Sequence, residues 1–299
     1  MPDRFVVAVV SAYFPPSVFA DTVESLRSQV DAVVIVDDGS HTVEAMGLAS
    51  ADVHVMELPT NAGIATALNV AIRRARERGA SHVVTLDQDS VLEPAHVTRL
   101  VDALESAINR GEAVVSAAPG FVGDGPVLRA PDGSGFDPVQ SGQVYRAATF
   151  EQLGEFREDL VIDAVDSEYT ARARAQGLHI LVQDDVHMRH RLGELEPVRL
   201  WGRVVQIGSR HFHFHYHSPL RTYYMVRNSV WLTRQLGRPQ RGWSRRRNRK
   251  LAEMVVPCLV FPSDRWAQCR AAWAGLRDGR RARLGLIPAS LHARITRRD

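Results

Sequence analysis

Cysteine is nearly absent: Cys258 and Cys269 are the only two in 299 residues, eleven apart, with no Cys-x-x-Cys pair. That excludes a disulfide framework or a structural zinc site as the basis of the fold and leaves two inert core thiols. No run of ~18 apolar residues occurs, so no membrane span is expected. Nor is there a charged-then-apolar leader, because Asp3 and Arg4 run straight into a short apolar strand, and a cytosolic protein is the expectation. The first strand is followed by Ser-Ala-Tyr-Phe-Pro-Pro and not by Gly-x-Gly-x-x-Gly, which excludes a dinucleotide-binding Rossmann domain. Acid is scarce at one end. From Pro197 onward there are 22 Lys+Arg against four acids (Glu253, Asp264, Asp278, Asp299), whereas residues 1–196 hold 15 bases and 30 acids. The formal charge of +3 hides this asymmetry, which points to an anionic partner for the C-terminal part, either nucleic acid or an acidic membrane surface. No nucleic-acid-binding motif accompanies the charge.

Hydrophobic residues make up 45% of the chain, ample for one large α/β domain or two ordinary ones. Phe5–Ser11 and Ala32–Val36 are continuous apolar runs, the pattern of strands buried on both faces of a parallel sheet. Between them Val18, Val23, Leu26 and Val30 recur at helical spacing, which completes a strand-helix-strand unit ending in Asp37-Asp38-Gly39-Ser40. A third strand, Val53–Leu58, leads through Asn61-Ala62-Gly63 into an alanine-rich helix running to about Arg78, with Gly79 as its C-cap. The strand Val83–Leu86 then runs into Asp87-Gln88-Asp89. Four repeats therefore stack their carboxyl ends toward one crevice, the place where open α/β sheets bind ligands. Further on, a helix is expected over Pro94–Arg110, a strand over Ala113–Ala117, loops or short hairpins over Pro119–Ser141, and a short helix over Phe150–Phe156.

Side chains two apart on an extended chain point the same way, so Asp87 and Asp89 can converge on one cation; a solvated strand end or a helix cap is the plainer alternative. A second acidic knot, Asp163-Ala164-Val165-Asp166-Ser167-Glu168, opens a helix closed by Gly177. Asp166 there is either an N-cap or a functional carboxylate, and Glu168 with Arg172 fits an exposed pair four apart.

Ordered blocks across residues 5–230 resemble the family 2 glycosyltransferases, inverting enzymes of the GT-A fold, and within them the bacterial rhamnosyltransferase branch. They are Val36–Ser40, Asn61–Asn69, Leu86–Ser90, Ser141-Gly142, Ile162–Glu168 with Arg172, His190–Gly193 and His217–Asn228. The resemblance implies a GT-A catalytic domain, a mixed, mostly parallel Rossmann-like sheet flanked by helices, over residues 1–228, with a basic, mainly helical extension over 229–299. It implies Asp89, Asp87 and His190 as ligands of Mg2+ or Mn2+, and donor contacts from Asp37, Asp38, Asn61, Gly63, Asn69, Asp87 and Arg221. Asp37 and Asp38 would hydrogen-bond the nucleobase or ribose, good turn chemistry being the alternative for the pair. Tyr223, Tyr224, Arg227 and Asn228 are implied at the acceptor, or in the core for the tyrosines. The family's base stands six residues before the helix arginine, which lands on Asp166; Val165 stands where many relatives have Glu, and Asp163 is the other carboxylate in reach.

The activity implied is transfer of L-rhamnose from dTDP-L-rhamnose to a saccharide or polyprenyl-diphosphate-linked acceptor. A UDP-hexose or UDP-galactofuranose donor is the alternative, and a non-catalytic nucleotide-sugar-binding or membrane-scaffold module the rival of another class. In a strand, the four histidines of His211–His217 would share one face, as zinc ligands or as a border of the substrate channel. Beyond Asn228, Arg245–Arg247, Arg249 and Lys250, interleaved with Trp231, Trp243, Trp266 and Trp273, suit an amphipathic segment lying on anionic lipid at the inner face of the cell membrane. A homo-oligomer is compatible with all of this.

Overall fold

The computed structural model describes residues 4–190, 194–200, 203, 204, 206, 207, 210, 211 and 213–297. They divide into two compact units, one of residues 1–158 and 165–191 and the other of 159–164 and 192–299. The sequence division at Asn228 follows the fading of motifs, whereas compactness divides the chain near residue 191 and assigns six residues of the second acidic knot to the C-terminal unit.

The first unit is built on a nine-stranded mixed sheet. Its strands are β1 (Val6–Ala12), β2 (Ala32–Asp37), β3 (Val53–Glu57), β4 (His82–Asp87), β5 (Ser90–Leu92), β6 (Val114–Val122), β7 (Gly125–Pro126), β8 (Val144–Arg146) and β9 (His179–His190). The order is β3-β2-β1-β4-β8-β6-β9-β5, with β7 hairpinned onto β6. β3, β2, β1 and β4 are mutually parallel, and every residue of β1 and β2 is buried, which is why both read as unbroken apolar runs. Parallel register sets Ala12 opposite Asp37 and Ser11 opposite Asp87, so the carboxyl ends of the three strands finish level. The flanking helices are α1 (Phe19–Arg27), α2 (Ile64–Glu77), α3 (His96–Asn109), the single turn α4 (Thr149–Gln152) and α5 (Val165–Ala175). α4 is shorter than its apolar spacing predicts because Gly154, at φ 85°, turns the chain out of the helix.

In the second unit strands Glu194–Pro197 and His213–Tyr216 pair antiparallel, followed by α6 (Pro219–Gln235), α7 (Arg241–Val260), α8 (Arg265–Arg280) and α9 (Ala289–Thr296). α8 lies close on α6 because small residues face it. A Cβ on Gly275 would stand 2.6 Å from the Tyr223 carbonyl oxygen, and one on Gly279 2.4 Å from that of Arg227. Polar bonds fix the contact: Thr222 Oγ1 donates to Gln268 Oε1 at 2.6 Å, and Tyr223 OH donates to Asp278 Oδ2 at 3.1 Å.

Candidate active site

The acidic site lies in the first unit, at the end of β4. Asp87, Asp89 and His190 offer ligand atoms all within 4.8 Å of one another, and His190 Nδ1 stands 3.4 Å from Asp89 Oδ1. Sheet pairing, not local sequence, creates this proximity. β5 turns back immediately after the two aspartates and pairs with β9, with Ser90 opposite His190, so a histidine a hundred positions later arrives beside them. Ser90 Oγ and His190 Nδ1 are 2.7 Å apart, one donating to the other as the imidazole tautomer dictates.

A loop from the far side completes the support. Thr85 Oγ1 donates to the Gln140 carbonyl at 2.5 Å, and the Gly142 amide donates to the Thr85 carbonyl at 2.7 Å, so the 140–142 loop runs along the end of β4. From it Gln140 Nε2 donates to Asp87 Oδ1 at 2.6 Å, and Ser141 Oγ accepts from the Asp87 amide at 2.9 Å while lying 3.0 Å from Ser90 Oγ. Gly142, at φ 77°, explains the small residue after Ser141: a Cβ there would meet Met188 Sδ at 2.6 Å. Gln88 turns the other way, accepting from the Tyr13 amide at 2.7 Å and holding the loop after β1.

Burial is the main reason the Asp87 carboxyl is pushed up to about 6; the negative charges of Asp89 and Asp166 add to it, while His190 and the Gln140 hydrogen bond oppose it. Asp166 therefore acts on the same electrostatic field. It stands in the first turn of α5, where Oδ1 accepts from the Ser167 amide at 2.8 Å, as a helix-start carboxylate should. Farther along α5, Glu168 and Arg172 do pair, at 2.8 Å, but as a largely sheltered pair and not an exposed one. Arg172 also donates to the carbonyls of Leu153 and Glu155, pinning α5 to the chain before it.

Several residues expected at the donor are occupied by the fold. Asp37 is fully buried and its oxygens accept from Ser40 N and Oγ and from the amides of Thr42 and Val43. Burial pushes its carboxyl up, and these four bonds outweigh that and hold it below the usual range. It is the knot of its own turn. Asp38 accepts from the amides of Ala62 and Gly63 at 2.7 and 2.9 Å, bracing the Asn61–Gly63 loop, and burial raises its carboxyl. Asn61 is half-buried where this loop touches the turn, and Gly63, at φ 97°, leads into α2. Asn69 is buried and spends its amide on the Phe156 backbone and on Glu158.

The two loops meet at Gly39, where a Cβ would stand 2.4 Å from the Thr60 carbonyl carbon at a φ of 79°. Gly39→Ala is expected to cost about 2 kcal/mol or more, from overlap against backbone plus left-handed strain, read as a fall in melting temperature.

The second unit carries the remaining expected residues. Arg221 Nη2 donates to Asp163 Oδ1 at 2.7 Å, so that carboxylate faces a guanidinium. Arg227 and Asn228 are 1% and 0% exposed. Asn228 Nδ2 is bonded to the carbonyls of Leu160, Ile162 and Asp163, and Arg227 to those of Asp159, Leu160 and Gly285. Three residues of that short stretch, Val161, Asp163 and Ala164, hold left-handed φ values between 62 and 68°, a conformation that needs such anchoring. Tyr223 and Tyr224 are likewise core side chains, flanking the Arg227 guanidinium at 5.5 and 4.6 Å from their ring centroids. Arg191–Gly193 of the His190 block, Phe212 and the His211 side chain lie outside the described residues. Among those described, no second group of histidine, cysteine and acid spaced for a metal accompanies Asp87, Asp89 and His190, so the zinc reading of His213, His215 and His217 gains no support.

The mixed, largely parallel sheet flanked by helices is a GT-A-like fold. Residues 7–132 match the model of glycosyl transferase family 2. That match, with the relatives below, supports a family 2 glycosyltransferase. It is 29% identical over 234 residues to the dTDP-rhamnosyl transferase RfbF of Shigella flexneri, covering 71% of this chain and 74% of that one. In fold it is similar to S. aureus TarS 1-349, at a TM-score of 0.52, 17% identity, and 92% and 81% coverage of the two chains. Similarity extends to S. aureus TarS 1-349 in complex with UDP-GlcNAc, at 0.51, 16% identity, and 94% and 90% coverage. Gln140 and Ser90, which support the aspartates and the histidine, were not singled out from sequence; Ser90 stood inside a recognised block, whereas Gln140 carried no signal.

Proposed function

We propose that the chain is a metal-dependent, inverting rhamnosyltransferase that moves L-rhamnose from dTDP-L-rhamnose to a saccharide or lipid-linked saccharide. The observation that carries this reading is the convergence of Asp87, Asp89 and His190. Two carboxylates and an imidazole at one corner suit a hard divalent ion such as Mg2+ or Mn2+. When bound, the ion supplies positive charge to the departing nucleoside diphosphate. Asp87, Asp89 and His190 would hold it. Asp166 takes the proton from the acceptor hydroxyl as that oxygen bonds to the anomeric carbon and the bond to the diphosphate breaks on the opposite face, which inverts the centre. Asp163 is the less suited base because Arg221 already faces it.

The relative's name supports dTDP-rhamnose, and the neighbour holding UDP-GlcNAc makes a UDP-sugar the alternative to test. The basic C-terminal part would work against an anionic membrane surface, at the cytoplasmic face; no helix among the described residues is long and apolar enough to cross a membrane. Hydrolysis of dTDP-L-rhamnose, UDP-galactofuranose and UDP-hexoses with Mg2+, Mn2+ or EDTA tests the assignment. Turnover of dTDP-L-rhamnose that EDTA abolishes is expected, and turnover of UDP-sugars alone would overturn the donor.

The raised Asp87 carboxyl sets a pH dependence. Proton and cation compete for it, so Mn2+ affinity should climb as pH rises through about 6 and then level off. Calorimetric titration on either side of that pH reads the curve, and Asp87→Asn should flatten it.

A further inference from the structure

We infer that the outer face of α8, with the α8–α9 corner, is a docking surface for an anionic phospholipid bilayer. The inference deepens the membrane element of the function proposed above and rests on it for its setting, while its chemistry belongs to the second unit alone.

The orientation of α8 is fixed by its inner side. Ala267, Ala271, Ala274, Gly275 and Gly279 are buried, and the two glycines abut α6 with no room for a methyl group. The opposite side must therefore face outward. Along it Trp266, Arg270, Trp273 and Arg277 follow at steps of four, three and four residues, which is one helical stripe. Trp266 and Trp273 are 62% and 69% exposed, whereas Trp231 and Trp243 of the same unit are buried. Leaving the two largest apolar side chains of a helix in water is costly for a surface with no partner.

The stripe is not flat. Trp266, Cys269, Arg270 and Trp273 line a depression of about 550 Å³. At the C-terminal end of α8 a second cavity, of about 370 Å³, mixes Arg277, Arg283 and Arg294 with Leu284, Leu286 and Leu291. The guanidinium groups of Arg283 and Arg294 line this cavity, and against the burial that pushes the Asp278 carboxyl up, the Arg283 charge helps hold it down. Leu286 beside them is 56% exposed. From Arg265 to Arg297 there are eight arginines and one acid, Asp278, and that acid is already held by Arg277 at 2.9 Å and by the Tyr223 hydroxyl at 3.1 Å.

Guanidinium groups beside exposed indoles and leucines match the two chemistries of a bilayer surface. Arginine forks take headgroup phosphates, and indole rings settle at the boundary between headgroups and acyl chains. Nucleic acid would meet the charge but offer no apolar phase to Leu286 and the tryptophans. A second copy of this face would set like charges against each other.

Co-sedimentation of the full chain with vesicles of phosphatidylcholine alone, or mixed with phosphatidylglycerol, tests this. Binding only to the mixed vesicles, lost with added salt and accompanied by a blue shift of tryptophan emission, is expected. Trp266→Ala/Trp273→Ala and Arg283→Gln/Arg294→Gln should each weaken partitioning at least about tenfold, with circular dichroism and melting unchanged. Donor hydrolysis should be untouched in both variants, so a failure of the proposed chemistry would show there and not in the sedimentation. Equal partitioning of wild type and variants, indifference to phosphatidylglycerol, binding to nucleic acid with the same sensitivity to the variants, or lipid-free self-association abolished by the tryptophan pair would each overturn the inference.

Discussion

Replacing Asp166 by asparagine is expected to lower turnover about 10³-fold while nucleotide binding in the presence of Mn2+ is retained. The amide keeps the size of the side chain and can still accept from the Ser167 amide, so the start of α5 should survive. What it cannot do is take a proton, and a positioned general base contributes about 10²–10⁴-fold. The substitution also removes one of the negative charges that raise the Asp87 carboxyl, so the Asp87 titration should move down toward the ordinary carboxylate range. The rate separates a base from a helix cap: because asparagine keeps the bond to the Ser167 amide, a residue that only capped α5 would leave both turnover and melting temperature unchanged. Steady-state kinetics with calorimetry decide it, and undiminished turnover would remove Asp166 from the mechanism.

The fold was legible where burial leaves a one-dimensional trace. β1, β2 and β4 are covered on both faces, so their apolar runs and the acids that end them could be read directly, and the parallel order followed from the helices between them. β5 could not be read in the same way, because a strand of three residues has no period to show. Yet β5 decides the site, since its pairing with β9 brings His190 to Asp89. The histidine was found only through its resemblance block; spacing alone gives no reason to join positions so far apart.

The roles of polar residues were hard to read for a different reason. Asp37, Asn69, Arg227 and Asn228 are of types that usually face water, so their place in the resemblance blocks read as ligand contact. In the fold they satisfy backbone groups that nothing else reaches: the turn after β2, the Phe156 backbone, and the carbonyls of the left-handed stretch before α5. A motif can be kept for the loop it ties as readily as for the molecule it touches. Only hydrogen-bond partners, which sequence does not display, separate these roles.

Asp89→Ala should weaken Mn2+-dependent nucleotide binding by more than about 100-fold and reduce turnover at least as much. The Asp89 side chain is 32% accessible and its Oδ1 lies 3.4 Å from His190 Nδ1, so its removal opens the site without hollowing the core. The sheet should be unaffected, because Asp87, not Asp89, is the residue tied through its backbone and side chain to Ser141 and Gln140. Asp87→Ala would confound lost ligation with a broken 140–142 loop, whereas Asp89→Ala isolates the cation. The contrast between metal-dependent and metal-independent binding is the measurement that matters. If calorimetry found the same nucleotide affinity with Mn2+ and with EDTA in the wild type, or no difference between wild type and Asp89→Ala, the convergence of Asp87, Asp89 and His190 would have to be read as a structural ion pair within the β5–β9 corner.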